Sequence, residues 1–121
     1  MTFTDEKIIN QTEKSVTLEF SVPDTSPYFN GHFPDFLVLP AVAQMDIILR
    51  FASRYLGTSI ALSEIRRIKF SGLIRPFAPL LLNLEKKGQT VSYKLSSRDG
   101  KIVYSSGAAT TLEDGPLKEN A

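Results

Sequence analysis

Hydrophobic and polar residues alternate along residues 15–22, where Val16, Leu18 and Phe20 are separated by polar side chains. A period of two is typical of a β-strand with one buried face, so the pattern predicts a strand here. The segment at residues 28–39 contains a glycine, a proline and four aromatic residues without helical periodicity. We interpret this segment as an ordered loop.

Residues 40 to about 56 are apolar at most positions and predict a helix. Pro40 suits its first turn, where the amide hydrogen that proline lacks would be unpaired anyway, and Gly57 suits its end. The apolar stretch contains Gln44 and Asp46 and is shorter than the roughly 20 residues needed to cross a bilayer, so we expect no membrane insertion. A helix that is apolar around most of its circumference must be covered by other structure, such as a sheet curled around it.

Four later segments are rich in apolar and β-branched residues, which predicts further strands. Turn signals at residues 86–89 and 98–100 separate the last three segments, as in an antiparallel meander. We therefore predict an α+β fold in which one long central helix is wrapped by a curved antiparallel sheet of about five to six strands. The four predicted strand segments are residues 60–70, 80–85, 90–96 and 101–112.

Composition narrows the class of protein. The 121 residues, of which 42% are hydrophobic and 22% charged, are typical of one soluble globular domain, which we place at residues 1–112, with a disordered polar tail at 113–121. The net charge of +1 argues against nucleic-acid binding. The chain has no cysteine, which excludes disulfides and thiolate nucleophiles. The first seven residues lack the apolar core of a signal peptide, which favours a cytoplasmic location.

The only histidine, His32, lies in a Gly-His-Phe-Pro segment, and Asp46 follows fourteen residues later within the apolar helix. Imidazole accepts a proton near neutral pH because its ordinary pKa is about 6.5, so a base on a loop and an acid on a helix suit proton transfer. Two plainer interpretations stay open. In the first, His32 serves only as a structural hydrogen-bonding group. In the second, Asp46 forms an ion pair with Arg50 one turn later, which would keep the carboxyl group ionised.

Three motifs resemble the β-hydroxyacyl carrier-protein dehydratases of the hotdog superfamily. They are the Gly-His-Phe-Pro loop at residues 31–34, the Leu-Pro-Ala helix start at 39–41 followed by Asp46, and a Phe-x-x-x-Ile-x-Pro strand at 70–76. The likeness covers roughly residues 15–112. The Leu-Pro-Ala-Val-Ala-Gln run resembles in particular the ApeI-like branch, which serves aryl-polyene-type pathways.

The resemblance implies a homodimer with shared active sites, in which His32 of one subunit faces Asp46 of the other. It implies dehydration of a 3-hydroxyacyl thioester carried on the phosphopantetheine of acyl carrier protein or coenzyme A, without a metal or other cofactor. His32 would take the C2 proton, and a neutral Asp46 would protonate the leaving hydroxyl group. Phe33 would contact the substrate. The helix start, formed by Pro40, Ala41 and Val42, would bind the thioester oxygen through backbone amides.

Basic residues gather after the helix, at Arg66, Arg67, Lys69 and Arg75. Such a cluster is either a solvated face or, given the resemblance, a docking surface for an acidic carrier protein. Two other functions stay open: a hotdog thioesterase, which uses an acid on the same helix, and an acyl-binding subunit without catalytic activity.

Overall fold

The computed structural model describes residues 4–29 and 37–112. In this part of the chain one helix packs against a six-stranded sheet whose order is β1-β2-β4-β5-β6-β3, and every neighbouring pair is antiparallel. The predicted α+β arrangement of one helix and an antiparallel sheet is confirmed. The elements are β1 (Thr4–Gln11), β2 (Ser15–Ser21), a short 3-10 helix (Pro27–Phe29), α1 (Ala41–Leu56), β3 (Leu62–Phe70), β4 (Leu80–Lys87), β5 (Thr90–Ser97) and β6 (Val103–Thr111).

Strand β2 shows how the alternating pattern supplies buried side chains to the core. Val16, Leu18 and Phe20 are buried and point toward the core, while the residues between them are partly exposed. β4 pairs with β2 and buries Leu80, Leu82 and Leu84 by the same alternation. Each fully buried apolar side chain of this size contributes roughly 1.5–3 kcal/mol relative to exposure, so these strands supply much of the core.

Helix α1 lies against this core. It begins at Ala41, and Pro40 is the residue that precedes it, with extended backbone angles of φ −73° and ψ 162°. The prediction that Pro40 lies within the first turn is therefore wrong by one residue. Gly57 ends the helix as predicted: its φ of 73° is left-handed, and its amide donates to the Ser53 carbonyl oxygen. No helix in the described residues is long and apolar enough to cross a membrane.

β1 is a strand that the hydrophobic pattern did not predict. It lies at one edge of the sheet and pairs only with β2, with two register irregularities. Most of its side chains are exposed, so its polar sequence carries no alternation to detect. Of the predicted loop at 28–39, residues 30–36 lie outside the described part, as does the predicted tail at 113–121.

β3 forms the other edge of the sheet, and its apolar residues recur at intervals of three, three and two. Its pairing with β6 shifts twice, and each shift adds one residue to β3. Such bulges turn side chains that are three positions apart toward the same face. At the second bulge Arg67 has a φ of 54°. The residues brought to one face are Leu62, Ile65, Ile68 and Phe70.

Gly107 of β6 lies opposite the second bulge, where the backbones approach closely. A Cβ atom at this position would lie 3.1 Å from the Ile68 Cα and 3.2 Å from the Arg66 carbonyl oxygen. Both contacts are with backbone, which would have to shift by a few tenths of an ångström to admit the Cβ atom. Glycine at this position therefore favours the close approach of the bulge to β6.

We expect the Gly107→Ala substitution to lower the free energy of unfolding by about 1–3 kcal/mol, the usual cost of adding a methyl group to a closely packed site. Urea unfolding followed by circular dichroism measures this change. Ser106→Ala, on the neighbouring residue of the same strand, is the matched control and should change stability much less. Equal stability of the two variants would show that the bulge can relax.

Candidate active site

Helix α1 and strand β3 leave an open apolar groove between them, with a volume of about 390 Å³. Val42 is 81% exposed at one end of this α1–β3 groove, and Phe70 of β3 is 42% exposed. Among the described residues that line the groove, Asp46 is the only charged one. The lining residues are Ala41, Val42, Met45, Asp46 and Leu49 of α1 with Leu62, Ile65, Ile68 and Phe70 of β3.

Two of the three predicted substrate-binding residues of the helix start line this groove. They are Ala41 and Val42 in the first turn of α1, whereas Pro40 precedes the helix and is not among the lining residues. Substrate binding by these residues stays a prediction. The first amides of a helix have no partner within the helix, and they carry the positive end of its dipole. The groove therefore has donors suited to an oxygen that gains negative charge. The predicted residues His32 and Phe33 lie outside the described residues, so their roles stay predictions.

Asp46 accepts two hydrogen bonds through the same oxygen. The Tyr28 hydroxyl donates to Oδ2 at 2.6 Å, and Nε of Arg50 donates to Oδ2 at 2.9 Å. Arg50 lies one helical turn after Asp46, and both side chains are about half exposed. The ion pair that the sequence left as an alternative is thus present in this chain.

These contacts set the charge of the site. Burial acts to raise the pKa of Asp46, but hydrogen bonds from Tyr28 and Arg50, with the positive charge of Arg50, outweigh it and hold that pKa below its ordinary value. Burial and the hydrogen bond to Asp46 raise the pKa of Tyr28 to about 12. In the single chain Asp46 is therefore a carboxylate at neutral pH. The neutral acid that the resemblance implies would need surroundings other than those that the described residues of one chain supply, and that role stays a prediction.

Tyr28 is a site residue that the sequence analysis missed. The short 3-10 helix presents it, and the Tyr28 amide donates to the Ser26 hydroxyl oxygen at 3.2 Å. The neighbouring Phe29 is buried in the core and anchors the segment. Tyr28 precedes Asp46 by eighteen positions without any regular spacing that links them, so no local pattern could have indicated the contact.

The structure separates the predicted basic cluster into different environments. Arg66 is paired with Glu64, its Nε lying 2.7 Å from a carboxylate oxygen. Arg75 donates to the Leu37 carbonyl oxygen at 2.6 Å, so it also supports the segment that leads into α1. Arg67 and Lys69 are exposed on the edge strand. The ion pair with Glu64 offsets the charge of Arg66, whereas a hydrogen bond to a neutral carbonyl group leaves the charge of Arg75 intact. The docking role of the four residues stays a prediction.

No three His, Cys, Asp or Glu side chains within residues 4–29 and 37–112 lie close enough together to hold a metal ion. The predicted lack of a cofactor stays a prediction.

Comparison with protein families shows that the chain is similar to a known group of enzymes. The family model described as ApeI dehydratase matches residues 8–108. The chain belongs to the ApeI-like dehydratase family. The resemblance to this branch that we inferred from the motifs is confirmed. Family membership makes the protein a dehydratase at the level of reaction class. Among curated proteins, none matches the chain.

Several solved structures have a fold similar to that of this ApeI-like chain. The dehydratase heterocomplex ApeI:P from Xenorhabdus doucetiae has a TM-score of 0.79 at 22% identity, covering 91% of this chain and 97% of that chain. An uncharacterized protein from Erwinia carotovora subsp. atroseptica has a TM-score of 0.70 at 29% identity, covering 91% and 95%. Thioesterase superfamily member 2 from Mus musculus has a TM-score of 0.64 at 13% identity, covering 91% and 83%. The hotdog fold is confirmed.

The depressed pKa of Asp46 makes its contribution to stability dependent on pH. A carboxyl group whose pKa is lower in the folded chain stabilises the fold above its unfolded pKa, and this stabilisation is lost as the pH falls through the folded pKa. We expect Asp46→Asn to lower the melting temperature at pH 7, and this difference to shrink as the pH falls below about 4, near the ordinary pKa of aspartate. Differential scanning calorimetry across pH measures it. Asp24→Asn, at an exposed aspartate elsewhere, is the control. A difference that is constant with pH would contradict the assignment.

Proposed function

We propose that this ApeI-like protein dehydrates a 3-hydroxyacyl thioester to the trans-2-enoyl thioester and water, as a homodimer with two shared sites. The observation that carries the proposal is the α1–β3 groove. It is apolar enough for an acyl chain, and it begins at amides that have no partner within α1. Among the described residues of its wall, the carboxyl group is that of Asp46.

The reaction needs two proton transfers on adjacent carbons. In the proposed site neutral His32 takes the C2 proton, the C3–oxygen bond breaks, and Asp46 of the opposite subunit protonates the leaving hydroxyl group to form water. The first amides of α1, at Ala41 and Val42, bind the thioester oxygen as charge builds on it. One such donor contributes about 2.7–4 kcal/mol in a model protease. The site needs no metal or redox cofactor for these steps.

Asp46 must carry a proton when it acts as an acid, whereas the single chain holds it ionised. Covering the groove with a second subunit and an acyl chain would remove water from Asp46. Loss of water raises the pKa of a carboxyl group because the charged form is less well solvated. Closure of the dimer thus supplies the surroundings that a neutral Asp46 requires.

The exposed edge of the sheet supports the dimer. β3 is nine residues long, and eight of them are exposed, including the apolar residues Ile65, Ile68 and Phe70. A long edge strand with apolar side chains is a ready surface for pairing with another strand. A second copy placed edge to edge would cover β3 and bring the two grooves together.

The proposal for the substrate carrier is based on the family resemblance and on the positive charge of exposed basic residues. We propose acyl carrier protein, bound through the exposed Arg67, Lys69 and Arg75, with Arg66 contributing less because the Glu64 carboxylate offsets its charge. An acidic carrier would be steered by these charges, chiefly through its association rate. The cytoplasmic location predicted from the first residues stays part of this proposal.

The dehydration is tested by following the conjugated enoyl thioester formed from a 3-hydroxyacyl pantetheine thioester. We expect His32→Ala and Asp46→Asn each to lower kcat by about 100-fold or more, as loss of a general acid or base does. Mixed in equal amounts and allowed to exchange subunits, the two variants should recover about a quarter of the wild-type rate, because half of the dimers are mixed and each has one intact site.

Folded variants that exchange subunits without any recovery would argue against shared sites. Release of free thiol without enoyl product would indicate a thioesterase, and no turnover by the wild-type protein with either carrier would indicate an acyl-binding subunit.

The dimer is tested at the edge strand. We expect Ile68→Arg to convert the dimer to a monomer, because it places a charge within the edge that a second copy would cover. Sedimentation velocity measures the mass. Ile8→Arg is the matched control, since Ile8 is 42% exposed on the opposite edge of the sheet and Ile68 is 37% exposed. A wild-type chain that stays monomeric by itself would point to a non-identical subunit, as in the ApeI:P heterocomplex of Xenorhabdus doucetiae.

A further inference from the structure

The two donors to Asp46 converge on one of its oxygens. Tyr28 and Arg50 both bind Oδ2, at 2.6 Å and 2.9 Å. Within the described residues, Oδ1 accepts no hydrogen bond. The carboxyl group is therefore asymmetric: Oδ2 is held by the protein, and Oδ1 is left for another partner.

Tyr28 is the better fixed of the two donors. It is partly buried against the hydrophobic core, and its backbone belongs to the short 3-10 helix that Phe29 anchors. The Arg50 side chain is 53% exposed and has several rotatable bonds, and such exposed pairs with aspartate lose much of their energy to side-chain entropy and solvent. Tyrosine has only two side-chain torsions, so a hydrogen bond from Tyr28 restricts the Asp46 carboxyl group at a smaller entropic cost.

We propose that Tyr28 is a positioning residue for Asp46, and that it binds Oδ2 so that Oδ1 is the oxygen through which Asp46 acts on the substrate. This inference rests on the proposed dehydration, which it deepens. A proton on the neutral acid would reside on Oδ1, because Oδ2 already accepts two hydrogen bonds. The orientation of the carboxyl group thus determines which oxygen delivers the proton to the leaving hydroxyl group.

The surroundings of Asp46 predict the effect of removing Tyr28. From β3, the groove presents only apolar side chains toward α1, so the titratable or charged groups that contact Asp46 in the described residues are Tyr28 and Arg50. A hydrogen bond to a carboxylate stabilises its charged form. Loss of the Tyr28 hydroxyl group should therefore raise the pKa of Asp46.

The test compares Tyr28→Phe with the wild-type full chain by two measurements. The first is a carbon NMR pH titration of the Asp46 carboxyl group, identified by its loss in Asp46→Asn. The second is kcat and KM for dehydration as a function of pH. We expect the pKa of Asp46 to rise and the alkaline limb of the kcat profile to move to higher pH. The optimal kcat should fall about tenfold, because the variant loses the hydrogen bond that orients the Asp46 carboxyl group. KM should stay within about a factor of two.

Tyr55→Phe is the matched control. The Tyr55 hydroxyl group also donates to a carboxylate, that of Glu6, but Tyr55 lies at the other end of α1, away from the groove. This substitution removes a hydroxyl group of the same kind and should leave both the Asp46 titration and the kcat profile unchanged. Equal changes in both variants would indicate a general effect on the fold and would overturn the proposal.

The two readouts separate this inference from the proposed function. A Tyr28→Phe variant with an unchanged Asp46 titration and an unchanged kcat profile overturns the positioning role. A shifted titration with an unchanged kcat overturns it as well, because the contact would then have no part in the reaction. If Tyr28→Phe shifts the Asp46 titration but the wild-type protein forms no enoyl product, the result contradicts the proposed dehydration instead, and with it the catalytic meaning of the contact.

Discussion

Helix α1 buries its apolar residues against one face of the sheet. This contact determines which face of the helix stays exposed beside the sheet. Phe51 packs edge to face on Phe20 of β2, with ring centroids 5.1 Å apart, and Ile47 and Ile48 are almost completely buried. The sheet covers only part of the helix. The remaining face, which includes Val42 and Asp46, is left beside β3 as the wall of the groove.

Strand β3 shows how a local irregularity serves that groove. A regular strand with apolar residues at intervals of three would send alternate ones to opposite faces. The two bulges bring them to one face, and Gly107 makes room for the second bulge. The result is a continuous apolar wall opposite α1, on a strand whose outer edge has no neighbouring strand among the described residues. The groove and the edge at which we propose that the dimer forms are thus consequences of the same backbone geometry.

The protonation state of Asp46 depends on contacts that the fold creates. Two donors favour the carboxylate, whereas burial favours the neutral acid, and in the single chain the donors prevail. A site that opens to water between turnovers and closes on its substrate would shift this balance toward the acid. Tyr28 and Arg50 would oppose that shift, and their hydrogen bonds to Oδ2 would restrict the orientation of the carboxyl group.

The sequence by itself determined the elements whose signals are local. The alternation in β2, the long apolar helix, the stop at Gly57 and the motifs around His32 and Asp46 sufficed for an α+β hotdog dehydratase. The Asp46–Arg50 ion pair could also be predicted, because helical geometry places residues one turn apart side by side. Only the tertiary structure decided the rest. The polar β1 becomes a strand because β2 offers it an edge, and the bulges of β3 arise from pairing with β6. Tyr28 reaches Asp46 because the core places two distant segments together, and contacts of that kind depend on packing across the whole chain, which no local pattern of residues encodes.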